Sequence, residues 1–273
     1  MAFLDPMLVL ELLALGLCTG FLAGLLGIGG GMLMVPFLTI IFSHRSIDAG
    51  LAVKMAIATS MSTILFTSIA SVRAHHRRGA VRWDLVRRLA PGIVFGGLVS
   101  GAGVFALLKG TVLAVLFALF VVFSATQMLL NRKPKPTRQV PGPLGAGAAG
   151  GVIGLLAGLV GAGGAFVSVP FMTWCNVPMA NAVATSAALG FPIALANTVG
   201  YVVAGWHLPQ AAPGAVGYLM LPALGVIALA SVLTAPLGAR VAHSVDTAHL
   251  KKVFAVLLYG LGAYMVWKVL QGS

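Results

Sequence analysis

Two glycine-rich stretches of the sequence carry backbone groups suited to binding an anion. The first, GLLGIGGGMLMVPFL, covers residues 24–38, and the second, GLVGAGGAFVSVPFM, covers 158–172. Glycine has no Cβ, so an anion can approach its backbone N–H closely. The start of a helix adds free N–H donors and about half a positive charge. The pattern predicts two anion cradles, at Gly29, Gly30 and Gly31 and at Gly163, Gly164 and Ala165.

A second repeated element, A-x-x-T-S, supplies hydroxyl groups near the expected middle of two long helices. It gives Thr59 and Ser60 in the first copy and Thr185 and Ser186 in the second. Each hydroxyl can donate a hydrogen bond to an anion without a fixed charge. The alternative stays open that these hydroxyls bond back to their own helix. Asn181 adds a further polar group to the predicted binding site.

Lys54 is the one lysine or arginine placed well inside an expected membrane span. Charges inside a membrane are costly and usually functional, so Lys54 is a candidate for attracting anions. It lies only one or two turns from the helix end, so snorkelling to the surface is the alternative. Its counterpart in the second repeat is Ala180, which makes any site here asymmetric.

The sequence shows no cluster of residue types suited to catalysis or to metal binding. No Asp, Glu or His is expected near mid-membrane, which argues against a proton pump with a carboxylate relay. Cys18 and Cys175 have no neighbouring histidine and are expected to pack in the interior. We therefore expect no enzyme, no metal and no cofactor. A thiol relay through Cys175 is a weaker alternative.

Composition sets the class of protein. Of 273 residues, 59% are hydrophobic and 8% charged, whereas soluble domains carry about 25% charged residues. Apolar runs of roughly 20 residues recur, as helices that cross a bilayer require. The net charge of +12 comes from basic residues in short loops, where the positive-inside rule places them. The sequence therefore predicts an all-α integral membrane protein and excludes nucleic acid as a partner.

The chain contains one motif used twice, in the same order. Shifting the first glycine stretch by 134 positions superimposes four of its five glycines and its Pro-Phe pair on the second, and shifting A-x-x-T-S by 126 positions superimposes that element on its second copy. We expect a first repeat over 1–130, a basic Pro-rich cytoplasmic linker over 131–143 and a second repeat over 144–273. The expected helices are 7–26, 32–43, 49–72, 85–108 and 111–130, then 144–160, 166–175, 178–204, 213–238 and 250–270.

The two repeats are parallel if each glycine-broken segment crosses the membrane and inverted if it doubles back. One helix over 7–43 would be about 55 Å long at 1.5 Å per residue, nearly twice the hydrocarbon core. The inverted arrangement puts thirteen basic loop residues on the cytoplasmic side and three outside, against eleven and five for the parallel one. Inverted repeats with both chain ends outside are therefore preferred.

Broken helices are tolerated at membrane depth where they are buried in protein or line a cavity. Inverted-repeat transporters bring such breaks together near the midplane, with half-helix starts facing an anionic substrate. The competing explanation is close helix packing through small residues. Because the stretch occurs twice at matching positions, the transporter explanation is favoured.

At these residues the sequence resembles the TauE/SafE family of sulfite exporters. The resemblance rests on the two glycine stretches, on AIATS and AVATS, and on GAVRWDLV and GAVGYLML, and it covers nearly the whole chain. It implies export or exchange of sulfite, thiosulfate or organosulfonates across the bacterial cytoplasmic membrane. One departure is Ala165, where the family usually has a third glycine.

The combined expectation is a secondary transporter of small sulfur-containing anions. An anion channel, or a transporter of a non-sulfur carboxylate or oxyanion, is the alternative. The expected partners are the small anion and the lipid bilayer, with a second copy of the chain, as a homodimer, left open.

Overall fold

The described part of the chain folds as a bundle of α-helices with one small hairpin. The computed structural model describes residues 5–26, 30–45, 47–130, 137–208, 213–241 and 247–271. Within these ranges, seven helices are long and apolar enough to cross a membrane, and two shorter apolar helices accompany them. The protein is therefore an all-α, multi-pass membrane protein.

Each repeat contributes a long helix, a break, a short helix and further long helices. The first part of the chain forms α1 (Pro6–Leu26), α2 (Gly31–His44), α3 (Ala49–Arg77), α4 (Trp83–Leu98), a π-helical continuation (Val99–Val104), α5 (Phe105–Leu107) and α6 (Gly110–Leu130). The second part forms α7 (Pro143–Val160), α8 (Ala165–Trp174), α9 (Met179–Gly205), β1 (Ala215–Val216), β2 (Leu219–Met220), α10 (Leu221–Val241) and α11 (Thr247–Gln271).

The helix expected over 213–238 begins eight residues later, at Leu221, because a hairpin precedes it. β1 and β2 pair antiparallel, with Ala215 opposite Met220. Gly214 has φ 85° and Gly217 has φ 58°, a left-handed conformation that glycine adopts readily and a helix interior does not contain. The two glycines therefore turn the chain back before α10 can start.

Both glycine breaks have the same local geometry. Gly30 precedes α2 with φ 67° and ψ −18°, and Gly164 precedes α8 with φ 72° and ψ −7°. These left-handed values would strain a residue with a Cβ. Gly30 and Gly164 therefore let the chain change direction before α2 and before α8, at matching points of the two repeats.

Helices of one repeat pack chiefly on helices of the other. α1 packs on α10, α4 on α7, α3 on α9 and α6 on α11. Small residues let the backbones approach: a Cβ added at Gly20 would collide with Ser231, and one added at Gly96 would collide with Gly151. Close backbone contact of this kind is typical of membrane helices. Many glycines outside the two breaks therefore serve packing.

Polar contacts join the end of each short helix to residues that precede the long helix before it. Arg45, after α2, pairs with Asp5, before α1, at 2.6 Å, and this hydrogen bond lowers the pKa of the Asp5 carboxyl. Trp174, at the end of α8, donates from its indole N–H to the Thr137 hydroxyl at 2.7 Å, and the Arg138 guanidinium lies 4.7 Å from the Trp174 ring centre. Each broken segment thus returns to the region near its own start.

The α4–α7 contact offers a matched pair of glycine substitutions. A Cβ at Gly92 would collide with the carbonyl of Gly147, whereas a Cβ at Gly147 would meet nothing within 4 Å. We expect Gly92→Ala to lower the thermal unfolding midpoint in detergent by several degrees. Gly147→Ala should leave it unchanged or raise it, because alanine is the better helix former by roughly 0.8–1 kcal/mol. Equal midpoints for the two variants would contradict this packing.

Candidate functional site

The two glycine breaks meet each other inside the bundle. A Cβ added at Gly31, the first residue of α2, would collide with the carbonyl of Gly161, which follows α7. The Ser60 hydroxyl, on α3, lies 3.4 Å from the carbonyl oxygens of both Gly31 and Gly161 and bridges them. Ser60 is fully buried. The break of one repeat therefore touches the break of the other, with a serine of the repeated A-x-x-T-S element at the contact.

Each short helix begins with backbone N–H groups that the helix itself does not use. The Gly30 carbonyl accepts from the N–H groups of Leu33 and Met34, at 3.2 and 3.3 Å. The Gly164 carbonyl accepts from Val167 and Ser168, at 3.0 and 2.8 Å. Among the described residues, no backbone acceptor is found for the N–H groups at the first two positions of α2 and α8, which are Gly31, Met32, Ala165 and Phe166. Such free donors are what an anion at a helix start uses.

The remaining cradle residues lie at the same two breaks. Gly163 is buried in the turn between α7 and α8, and Ala165 is the buried first residue of α8. A Cβ at Gly164 would lie 2.5 Å from the Ile193 Cδ1, so this position has neither the space nor the backbone angles for a side chain. Gly29 lies outside the described residues.

A serine that the sequence analysis did not select completes the second break. The Ser168 hydroxyl, one turn into α8, lies 2.7 Å from the Ser186 hydroxyl on α9, and both side chains are buried. The first repeat has Met34 at the corresponding place, and its sulfur accepts from the Thr63 hydroxyl at 3.1 Å. The signal in the sequence was the position of Ser168 four residues after Gly164, on the first turn of the short helix.

The two threonines bind the starts of helices in the opposite repeat. The Thr59 hydroxyl accepts from the Met220 N–H at 3.1 Å, and the Thr185 hydroxyl accepts from the Arg82 N–H at 3.0 Å. Met220 and Arg82 immediately precede α10 and α4. In the described contacts neither threonine bonds back to its own helix. Each hydroxyl oxygen therefore fixes a helix start, and its hydrogen remains able to donate.

Asn181 and Lys54 lie apart from the breaks along their helices. The Asn181 amide, in the first turn of α9, donates to the Ala80 carbonyl at 2.8 Å. The Lys54 ammonium is half-buried and donates to the Ala106 carbonyl at 3.1 Å. Lys54 is six residues, or about 9 Å of helix rise, from Ser60. Its ammonium is thus engaged inside the protein, which differs from a side chain that extends freely to the surface.

A further buried polar group forms where α4 continues as a π-helix. The Asn197 amide donates to the Ile193 carbonyl at 2.8 Å. Among the described residues, the Asn197 Oδ1 and the Ser100 hydroxyl have no partner, and a Cβ at Gly158 would meet both. π-Helical turns occur often at functional sites, and sequence periodicity did not predict this one.

Comparison with known proteins gives a consistent result. The family described as "Sulfite exporter TauE/SafE" matches residues 12–265. A "Probable membrane transporter protein" of Haemophilus influenzae is 34% identical over 261 residues, covering 95% of this chain and 98% of its own length. A protein of the same description from Methanocaldococcus jannaschii is 28% identical over 264 residues, covering 93% and 94%. No solved structure matches the chain.

The threonine contacts predict a stability difference between two conservative substitutions. Thr59→Val removes the acceptor of the buried Met220 N–H, and an unsatisfied buried donor costs about 1–3 kcal/mol. Thr59→Ser keeps the oxygen, so we expect the valine variant to unfold at the lower temperature in detergent. The same order should hold for Thr185→Val and Thr185→Ser. Valine and serine variants of equal stability would exclude the fixing role.

Proposed function

Because this chain belongs to the sulfite exporter TauE/SafE family, we propose that it is a secondary transporter that exports small sulfur-containing anions such as sulfite, thiosulfate or organosulfonates. It would act in the bacterial cytoplasmic membrane. The observation that carries the proposal is that the first N–H groups of α2 and α8 have no backbone acceptor among the described residues, at two glycine breaks that touch each other at Gly31 and Gly161. Family membership supports transport, and this geometry supports an anion as the transported species.

The proposed binding site lies between the starts of α2 and α8. The N–H groups at Gly31 and Ala165 would donate to the oxygens of the anion, with both half-helix dipoles favouring its charge. The Ser186 hydroxyl would add a donor from α9, whereas the Ser60 hydroxyl would have to leave the Gly31 and Gly161 carbonyls before it could donate to the anion. Neutral donors hold an anion without an opposite fixed charge, so the site can release its substrate after the protein changes conformation.

The break geometry supports the inverted arrangement of the two repeats. The end of α2 pairs with the residue before α1, whereas the end of α8 contacts Thr137 and Arg138 of the basic linker region. If each broken segment returns to its starting face, three crossings follow in each repeat. An odd number of crossings places the two repeats in opposite orientations, as in transporters with inverted repeats.

Two rival functions share this site. An anion channel would bind through the same donors, and a transporter of a small carboxylate or another oxyanion would need no further groups. Saturable flux and counter-transport separate a carrier from a channel. Coupling to protons would run through the substrate, because a weak acid such as bisulfite carries its own proton.

Cysteine labelling distinguishes the two arrangements of the repeats. In a background without Cys18 and Cys175, we expect Lys252→Cys to react with an impermeant thiol reagent only from the cytoplasmic side. Lys109→Cys should react from the outer side. The parallel arrangement requires labelling of Lys252→Cys from outside, so that result would exclude inversion. Both lysine side chains are exposed in the described structure.

The glycine breaks predict the loss of transport in two variants. Valine at Gly30 or Gly164 would require a left-handed backbone that a β-branched residue avoids, and its Cβ would crowd Thr19 at the first break and Ile193 at the second. We expect Gly30→Val and Gly164→Val to insert into the membrane but to show no sulfite flux in proteoliposomes. The control is Gly225→Val on α10, where an added Cβ meets nothing within 4 Å.

Normal sulfite flux in either break variant would contradict the proposed site. The substrate itself is identified by binding of sulfite, thiosulfate, sulfoacetate, taurine and sulfate to the purified protein. Binding of taurine alone would indicate recognition of a zwitterion and would count against an anion site built from backbone N–H groups.

A further inference from the structure

A cavity of about 550 Å³ lies at the end of the bundle where α3 and α6 begin and α11 ends. Lys54, Lys109 and Lys268 line it, together with Tyr218 and Asp48. Its volume is within the range of about 300–1,000 Å³ that is usual for small-molecule sites. It is therefore large enough for an organic molecule and carries three ammonium groups.

The lysine contacts leave most of their hydrogen-bonding capacity unused. The Lys54 ammonium donates to the Ala106 carbonyl and lies 5.2 Å from the centre of the Tyr218 ring. The Lys268 ammonium donates to the Ser43 hydroxyl at 2.6 Å. An ammonium has three donors, so each of these two lysines retains donors for a ligand. Lys109 is exposed at the rim.

Positive charge in the cavity exceeds negative charge. The ion pairs found among the described residues, Asp5–Arg45 and Arg82–Asp84, include no lysine. Asp48 is the acidic residue of the cavity lining, and its carboxylate caps α3 by accepting from the Leu51 N–H at 3.0 Å. Three lysines and one aspartate leave a net positive charge in a partly enclosed space, where an anion is the complementary ligand.

The other walls of the cavity are largely apolar. The apolar residues of the lining are Leu51, Val53, Ala114, Leu208 and Met265. Sulfite has one sulfur and three oxygens, so it would fill only a small part of this volume and would leave these walls without contacts. We propose that the cavity binds a short organic anion, whose sulfonate or carboxylate lies among the lysines and whose carbon chain packs on the apolar wall.

The position of the cavity connects it to the site at the helix breaks. Lys54 lies on α3 above Ser60, and Tyr218 lies in the hairpin whose Met220 N–H donates to Thr59. An anion bound beside Lys54 would lie about 9 Å along α3 from Ser60, which contacts both breaks. The role of the cavity as a staging site rests on the proposed transport function. Binding of an organic anion in the cavity does not depend on transport.

The test uses the purified full chain in nanodiscs at low ionic strength. Binding of ethanesulfonate, propionate and sulfite is measured by calorimetry for the wild type, Lys109→Gln, Lys268→Gln and Lys54→Gln. The matched control is Lys252→Gln, which changes an exposed lysine near the opposite end of the same helix as Lys268. We expect each cavity variant to raise the Kd of ethanesulfonate at least about five-fold, with salt weakening wild-type binding, and Lys252→Gln to stay within two-fold.

Unchanged Kd values in Lys109→Gln and Lys268→Gln would overturn the inference. Wild-type protein that binds neither ethanesulfonate nor propionate would overturn it as well. Sulfite binding as tight as that of ethanesulfonate and propionate would overturn the role of the apolar wall. Lysine-dependent binding without transport of any anion in proteoliposomes would leave the cavity site standing and remove the transport proposal. Transport with a KM unaffected by the lysine variants would keep the transport proposal and overturn the role of the cavity as a staging site.

Discussion

A chain that ends a helix inside a bilayer leaves N–H and C=O groups that no water can reach, so protein must surround them. The structure meets this constraint by placing the two breaks against each other. The Gly31 and Gly161 carbonyls share the Ser60 hydroxyl, and the left-handed Gly30 and Gly164 start the short helices. Among the described residues, the first N–H groups of α2 and α8 have no backbone acceptor, and on these groups the proposed anion site depends.

Contacts between the repeats organise the surroundings of the breaks. Thr59 and Thr185 each hold the N–H that precedes a helix of the opposite repeat. Backbone contacts at glycines join α1 to α10 and α4 to α7. A movement of one repeat against the other would therefore displace the starts of α4 and α10, and it would also shift the contact between Gly31 and Gly161 at the breaks. This coupling suits a carrier, in which access alternates between the two sides of the membrane.

Much of the fold was predictable because its signals are local. Apolar length predicted the helices, and the glycine clusters predicted the breaks before α2 and α8. The hairpin at 215–220 was missed because GAVGYLM differs little in hydropathy from the helix that follows, and only the backbone angles of Gly214 and Gly217 separate them. Thr59 and Met220 are 161 residues apart, and Ser168 meets Ser186 from another helix. No local pattern encodes which helices face each other, so these partners required the structure.

The pairing of α1 with α10 has a consequence for how the protein is made. The first helix enters the bilayer long before its partner has been synthesised, a delay on the order of ten seconds or more at translation rates of 5–20 residues per second. During that interval Gly16 and Gly20 lack the close contacts with Ala230 and Ser231 that they make in the folded protein. The face of α1 that packs on α10 therefore stays incomplete until the residues near position 230 have entered the membrane.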